Sequence, residues 1–129
     1  MPAAVASATY DASNEVTTFG SVSETYDANG NLTSDGTDNY TWNARDQLAV
    51  ITGGTTASFV YDGVGRRRSK TIAGRTSAFL YDQLNPVQEL SGGIPTANLL
   101  TGLTVDEYFT RNDGQSSYFA ADGLGSTIA

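Results

Sequence analysis

Tyr26-Asp27-Ala28-Asn29-Gly30-Asn31-Leu32-Thr33 decides how this chain folds. An aromatic residue and an Asp end an extended run, two linker residues and a Gly turn the chain, and an apolar residue restarts it. The same frame fits Tyr10-Asp11-Ala12-Ser13-Asn14-Glu15-Val16, Trp42-Asn43-Ala44-Arg45-Asp46-Gln47-Leu48, Tyr61-Asp62-Gly63-Val64-Gly65-Arg66-Arg67 and Tyr81-Asp82-Gln83-Leu84-Asn85-Pro86-Val87. With its aromatic replaced, it also fits Ala121-Asp122-Gly123-Leu124-Gly125-Ser126-Thr127. The fifth column reads Asn14, Gly30, Asp46, Gly65, Asn85, Gly125. Gly, Asn and Asp enter the left-handed backbone region at least cost. A type I turn closed by a left-handed residue needs one of them there, which gives a hairpin loop with a bulge. The Asp or Asn that precedes the linker can accept hydrogen bonds from the turn backbone. The frame therefore predicts a repeat of β-hairpins.

Successive frames begin 16, 16, 19 and 20 residues apart, from Tyr10 to Tyr81. A period this short holds two strands and two turns. Strands are expected over 23–27, 39–43, 48–51, 57–62, 69–73, 77–82, 86–90 and 105–110, with almost no helix and a loose lead-in over residues 1–9. Alternation puts Tyr40 with Trp42, Phe59 with Tyr61 and Phe79 with Tyr81 on shared faces. Together with Tyr10 and Tyr26 these make an aromatic stripe, which Leu32, Leu48 and Val50 are expected to join as core packing. Ser34-Asp35-Gly36-Thr37-Asp38-Asn39, Thr52-Gly53-Gly54-Thr55-Thr56 and Ser91-Gly92-Gly93-Ile94-Pro95 read as connections.

Composition narrows the function. Of 129 residues 39% are hydrophobic and 16% charged, with 14 Gly, a balance suited to turn-rich β structure. The net charge of −7 disfavours nucleic acid as a partner. Cysteine is absent, which removes disulfides and thiolate metal sites. No apolar run approaches the ~20 residues of a membrane-spanning helix, so membrane insertion is not expected. His is absent as well, so the commonest general base and the Ser-His-Asp arrangement are both excluded. Asp106 and Glu107 are adjacent in an expected strand and would point to opposite faces. The chain reads as non-catalytic and free of cofactors. Asp27-x-Asn29-x-Asn31, with Asp35 and Asp38 beyond, resembles a calcium loop but carries Leu32 and Asp38 where that loop needs Gly and Glu, so turn chemistry accounts for it. Arg66, Arg67 and Arg68 follow the Gly65 turn; they read as a solvated hairpin arm paired to nearby Asp residues or as a dock for an acidic edge of another copy.

The aromatic-Asp-x-x-Gly-x-Leu frame resembles the YD repeat of the Rhs (rearrangement hotspot) family. Asp106-Glu107-Tyr108-Phe109-Thr110-Arg111, followed by Asp122-Gly123-Leu124-Gly125-Ser126-Thr127, resembles the start of the Rhs-associated core segment. The resemblance implies an all-β curved or spiralling sheet of hairpins over residues 10–100, running into a core-like segment over 101–129. In bacterial Rhs and toxin-complex proteins such ribbons wind into a shell around a toxic domain, and in teneurins a similar shell serves adhesion. Three roles follow as expectations: a self-assembling wall, filament or surface-layer element; a fragment of a toxin-enclosing shell from a longer secreted bacterial protein; or a carbohydrate- or receptor-binding module. The expected partners are copies of the chain itself or the rest of a longer chain, with an enclosed toxin domain in the parent protein. The expected location is extracellular or at the cell surface.

Overall fold

The structure, a computed structural model, describes residues 7–104, 107–121 and 127–128. It is all-β, built of antiparallel hairpins that do not close into a barrel, and no helix occurs among the described residues. Two compact units form: Met1–Phe59 with Ile72–Gly74, and Val60–Thr71 with Arg75–Ala129.

In the first unit β1 (Ala8–Tyr10), β2 (Val16–Phe19) and β3 (Val22–Ser23) make a three-stranded sheet in that order. The expected lead-in thus ends in a strand, with Ala8 and Thr9 paired to Phe19 and Thr18. Then β4 (Thr25–Tyr26), β5 (Leu32–Ser34), β6 (Asp38–Trp42) and β7 (Leu48–Gly53) pair in succession. The first residues of β8 (Ala57–Tyr61) close the series, Ser58 opposite Val50 and Ala57 opposite Ile51.

The second unit begins with the end of β8 and continues through β9 (Arg67–Ile72, Ile72 excepted), β10 (Arg75–Asp82), β11 (Asn85–Ser91), β12 (Ile94–Thr101), β13 (Tyr108–Asn112) and β14 (Ser116–Tyr118), each bonded to the next. A short pair, β15 (Ala120–Ala121) and β16 (Thr127–Ile128), follows. Ile94 and Pro95, expected in a connection, open β12, because Gly92 and Gly93 suffice for a two-residue turn with φ of 58° and 83°. Pro95 is tolerated because it stands beside a bulge, where the ladder needs no donor. The strand expected over 105–110 is described from Tyr108, and residues 105 and 106 lie outside the described residues.

One register recurs in the first unit: Tyr10 pairs with Val16, Tyr26 with Leu32 and Trp42 with Leu48, six residues apart, and in each case the ladder slips beside that pair. This is the bulge the left-handed turn residue calls for. In the second unit the ladder also slips, beside the pairs of Tyr81 with Pro86 and Thr101 with Tyr108, at separations of five and seven. The bulge also corrects the stripe. The slip at Ala49 puts Ile51 opposite Tyr40, while Val50 faces Thr41 and lies on the other side of the sheet. Simple alternation from Leu48 misplaces Val50 because a bulge inserts one residue into the count.

The stripe is half-buried rather than a closed core. Tyr26, Tyr40, Trp42, Phe59, Tyr61, Phe79 and Tyr81 are all partly covered, and Tyr10 is exposed. Only Ala57 (4% exposed), Ala97 (2%) and Asn85 (8%) are buried among the described residues, and no large side chain is fully enclosed. The substantial contacts of each strand are with its neighbours in sequence. With little apolar area removed from water, stability falls to the ladders and to polar bonds along the turns.

Candidate functional site

Four turns share their bonding to within tenths of an ångström. Asp11, Asp27, Asn43 and Asp62 donate their backbone N–H to the carbonyls of Glu15, Asn31, Gln47 and Arg66 at 2.9–3.0 Å. Their own carbonyls accept from the N–H of Asn14, Gly30, Asp46 and Gly65 at 3.0–3.2 Å. Those four closing residues stand at φ of 63°, 83°, 55° and 92°. One side-chain oxygen of each leading residue then takes two further N–H groups, from the fourth and sixth residues of the frame. At Asp27 these are Asn29 and Asn31, both at 2.9 Å. At Asp62 they are Val64 and Arg66, at 3.0 and 2.9 Å. Asp11 and Asn43 repeat the pattern.

The second side-chain atom distinguishes the turns. Asn31 Nδ2 donates to Asp27 Oδ2 at 3.0 Å, Arg66 Nε donates to Asp62 Oδ2 at 2.7 Å, and Asn43 Nδ2 donates to Gln47 Oε1 at 3.0 Å. The Asn31 side chain holds Asp27 below the usual carboxylate range, and backbone donors add to it. At Asp62 desolvation pushes upward, but the Arg66 side chain and backbone outweigh it and the net shift is down. In the first turn the sixth residue is Glu15, so two carboxyl groups meet. Desolvation, the hydrogen bond to Asp11 and the charges of Asp11 and Asp27 raise Glu15, while the Glu15 backbone N–H leads in lowering Asp11.

Turns also bond to their neighbours. In the first unit Asn29 Nδ2 and Asn31 Nδ2 both donate to Asp46 Oδ1 at 2.9 Å. Glu15 Oε1 comes within 3.0 Å of where a Cβ on Gly30 would stand. In the second unit Arg66 Nη1 donates to the Gln83 carbonyl. The oxygens of Asp27 that a calcium loop would use are occupied by turn donors, and among the described residues no group of three or more acidic side chains is placed to hold a metal ion.

One expected turn position stands elsewhere. Asn85 opens β11 opposite Asp82, and the loop shrinks to Gln83-Leu84, with Gln83 rather than Asn85 left-handed at φ 50°. A two-residue loop needs its left-handed residue inside it, so the fifth column of the frame passes into the strand. Asn85 is the one buried polar side chain among the described residues and donates from Nδ2 to the Thr104 carbonyl at 2.8 Å, tying down the next loop. Gly125 and Asp106 lie outside the described residues.

The basic stretch packs against the stripe of its own unit. The Arg66 guanidinium lies 4.9 Å from the Tyr81 ring centre, and Arg67 and Lys70 each lie 5.7 Å from that of Phe79. Arg66 and Arg68 border one open cavity of about 410 Å³ with Phe79 and Tyr81. Farther along, Arg111 bridges Glu89 (2.7 Å) and Asp113. The Arg111 hydrogen bond holds Glu89 below its ordinary range, and Glu89 and Asp113 together raise Arg111. The hydroxyls and indole of the stripe find acceptors: Tyr40 on Asp35 Oδ2 (2.6 Å), Trp42 on the Leu32 carbonyl (2.8 Å), Tyr81 on the Arg67 carbonyl (2.9 Å). The Asp35 hydrogen bond pushes the Tyr40 hydroxyl up to about 12.

The frame drew attention to the closing residues and left the tips unread. In the second unit these are Val64 (74% exposed), Leu84 (56%) and Leu103, which is fully exposed. Their spacing of 20 and 19 residues was the available signal.

A model of the family described as Teneurin YD-shell matches residues 3–129. No curated protein matches the chain.

Proposed function

From the premise that this chain belongs to the teneurin YD-shell family, we propose that it is a non-catalytic wall element that assembles with copies of itself through exposed strand edges. The observation that carries this reading is the absence of any fully buried large side chain among the described residues, while an aromatic stripe stays half-covered. A sheet in that state gains most from neighbours that extend it and cover its faces. A row of unpaired edge groups on β14, the last strand of its sheet, is a template for such extension. An assembly whose contacts do not close would propagate as a filament, tube or layer.

A second reading is favoured by the family itself: the chain is a stretch of shell wall in a longer secreted protein, completed by further repeats and enclosing a toxin domain. Residues 10–100 would then be the hairpin wall and residues 101–129 the beginning of an Rhs-core-like segment. Both readings place the protein outside the cell or on its surface. The carbohydrate- or receptor-binding reading draws less support, since the Asp and Asn oxygens of the tips serve the turns.

Light-scattering mass after size exclusion, with negative-stain images of the same fractions, tests the choice. Regular polymers or rings support the wall element. A disordered aggregate favours the longer shell, and a folded monomer at every concentration overturns self-assembly.

A further inference from the structure

The linker residues of the repeating turns change character between the two units. In the first they are Ala12-Ser13, Ala28-Asn29 and Ala44-Arg45; in the second they are Gly63-Val64, Gln83-Leu84 and Gly102-Leu103. Nothing in the turn requires the second set. The N–H of Val64 bonds to Asp62 as that of Asn29 bonds to Asp27, and the side chain takes no part. Val64, Leu84 and Leu103 nevertheless point three aliphatic groups into solvent. They stand on one edge: Arg66 ties the first turn to the Gln83 carbonyl of the second, and Leu84 and Leu103 border one pocket of about 80 Å³ with Asp82, Asn85 and Thr101.

We infer that this row is an interface, and that its occupant is the same row of a second copy, related by a two-fold axis. Three side chains of this size offer roughly 300–400 Å² of apolar surface, as large as the biggest patch many monomers show. Tips two strands apart recur at roughly 10 Å. A partner must match prominences at that period, and the chain's own row has it by construction. The tips of one copy seat between those of the other, with the pocket between Leu84 and Leu103 receiving a branched aliphatic group. A contact of this kind uses the same patch on both copies and is self-complementary. Its area is about half of the ~800 Å² per partner of a standard interface, so the isolated pair is weak and concentration-dependent.

The inference rests on the self-assembling wall and supplies one of its contacts. The chain has no cysteine, so a single one reports a single contact. Leu84→Cys, at the middle tip and nearest the axis, is oxidised beside Ser13→Cys, a tip of the first unit. Disulfide dimer is expected at least tenfold faster from Leu84→Cys, and in the triple variant Val64→Ser, Leu84→Ser, Leu103→Ser the dimer seen by sedimentation velocity should be lost with unchanged circular dichroism. Equal cross-linking rates, or a triple variant that sediments as the parent does, overturn the tip interface while leaving assembly through strand edges standing. A parent chain that is monomeric throughout the concentration series removes both.

Discussion

The two units hold nearly coreless hairpins together by different chemistry. In the first, where three turns share one shape, uncharged donors on a carboxylate join two of them: Asn29 and Asn31 both reach Asp46. In the second, turn shapes vary and cations do the joining, with Arg66 across two turns, Arg67 and Lys70 over Phe79, and Arg111 between Glu89 and Asp113. Amide donors need close, repeated geometry, so the first unit keeps its 16-residue period from Tyr10 to Trp42. An arginine reaches farther and tolerates irregular spacing, which is where the period stretches to 19 and 20. The contrast predicts that added salt weakens the second unit more than the first.

The first unit is broken most severely at Gly53. It sits at φ 127°, and a Cβ there would stand 2.3 Å from the Thr37 carbonyl oxygen and 3.0 Å from Asp38 Cα, backbone atoms that cannot swing aside. Gly53→Ala should cost about 3 kcal/mol or more. Trp42 is the only tryptophan and lies in this unit, so its emission should report the lowered unfolding midpoint. In the second unit Arg111→Ala removes both ion pairs and leaves Glu89, about three-quarters covered, without its guanidinium. A loss of about 1–2 kcal/mol is expected at low salt, shrinking as salt is added, by urea melts followed through tyrosine signals.

Much of the first unit was legible because one local motif, repeated at constant spacing, fixes both turn and register. Asp27 to Asn31 contains every atom its turn uses. The second unit was less so. That Asn85 enters a strand depends on loop length, which the frame leaves open when Gln83 takes the left-handed conformation. The Glu89–Arg111 pair joins residues 22 apart with no shared pattern. Val50 was misplaced by a bulge that shifts alternation by one. The tips escaped because the motif constrains their backbone and is silent about their side chains.

Asp46 tests the amide ladder directly. Asp46→Asn keeps an acceptor for Asn29 and Asn31 and tolerates the φ of 55°, so a small change is expected. Asp46→Ala loses the acceptor and adds left-handed strain, about 1–2 kcal/mol together. Hydrogen exchange at the 27–31 turn should rise in the Ala variant alone. Equal effects from both would mean that charge, not geometry, links these turns.

The smallest effect expected is a gain. Every other leading carboxylate among the four matching turns has a donor at the sixth position, Asn31 for Asp27 and Arg66 for Asp62, whereas Asp11 faces Glu15. Glu15 is raised in the fold, so it favours the folded state fully when protonated, and that contribution is lost as pH rises through its folded value, leaving the ionised group against Asp11 and Asp27. Asp27 and Asp11 are lowered and behave oppositely: their contribution is present at neutral pH and disappears as pH falls through their folded values, beneath the ordinary 3.8. Glu15→Gln should therefore raise the melting temperature slightly at pH 7, since an amide can donate to Asp11 as Asn31 does to Asp27. The gain should fade as pH is lowered past the ordinary 4.5 of a glutamate, where Glu15 in the parent is already protonated and donates in its turn. Melting curves from pH 3 to 8 for parent and variant decide it: a pH-independent difference would mean that packing over Gly30, not charge, sets the effect of residue 15.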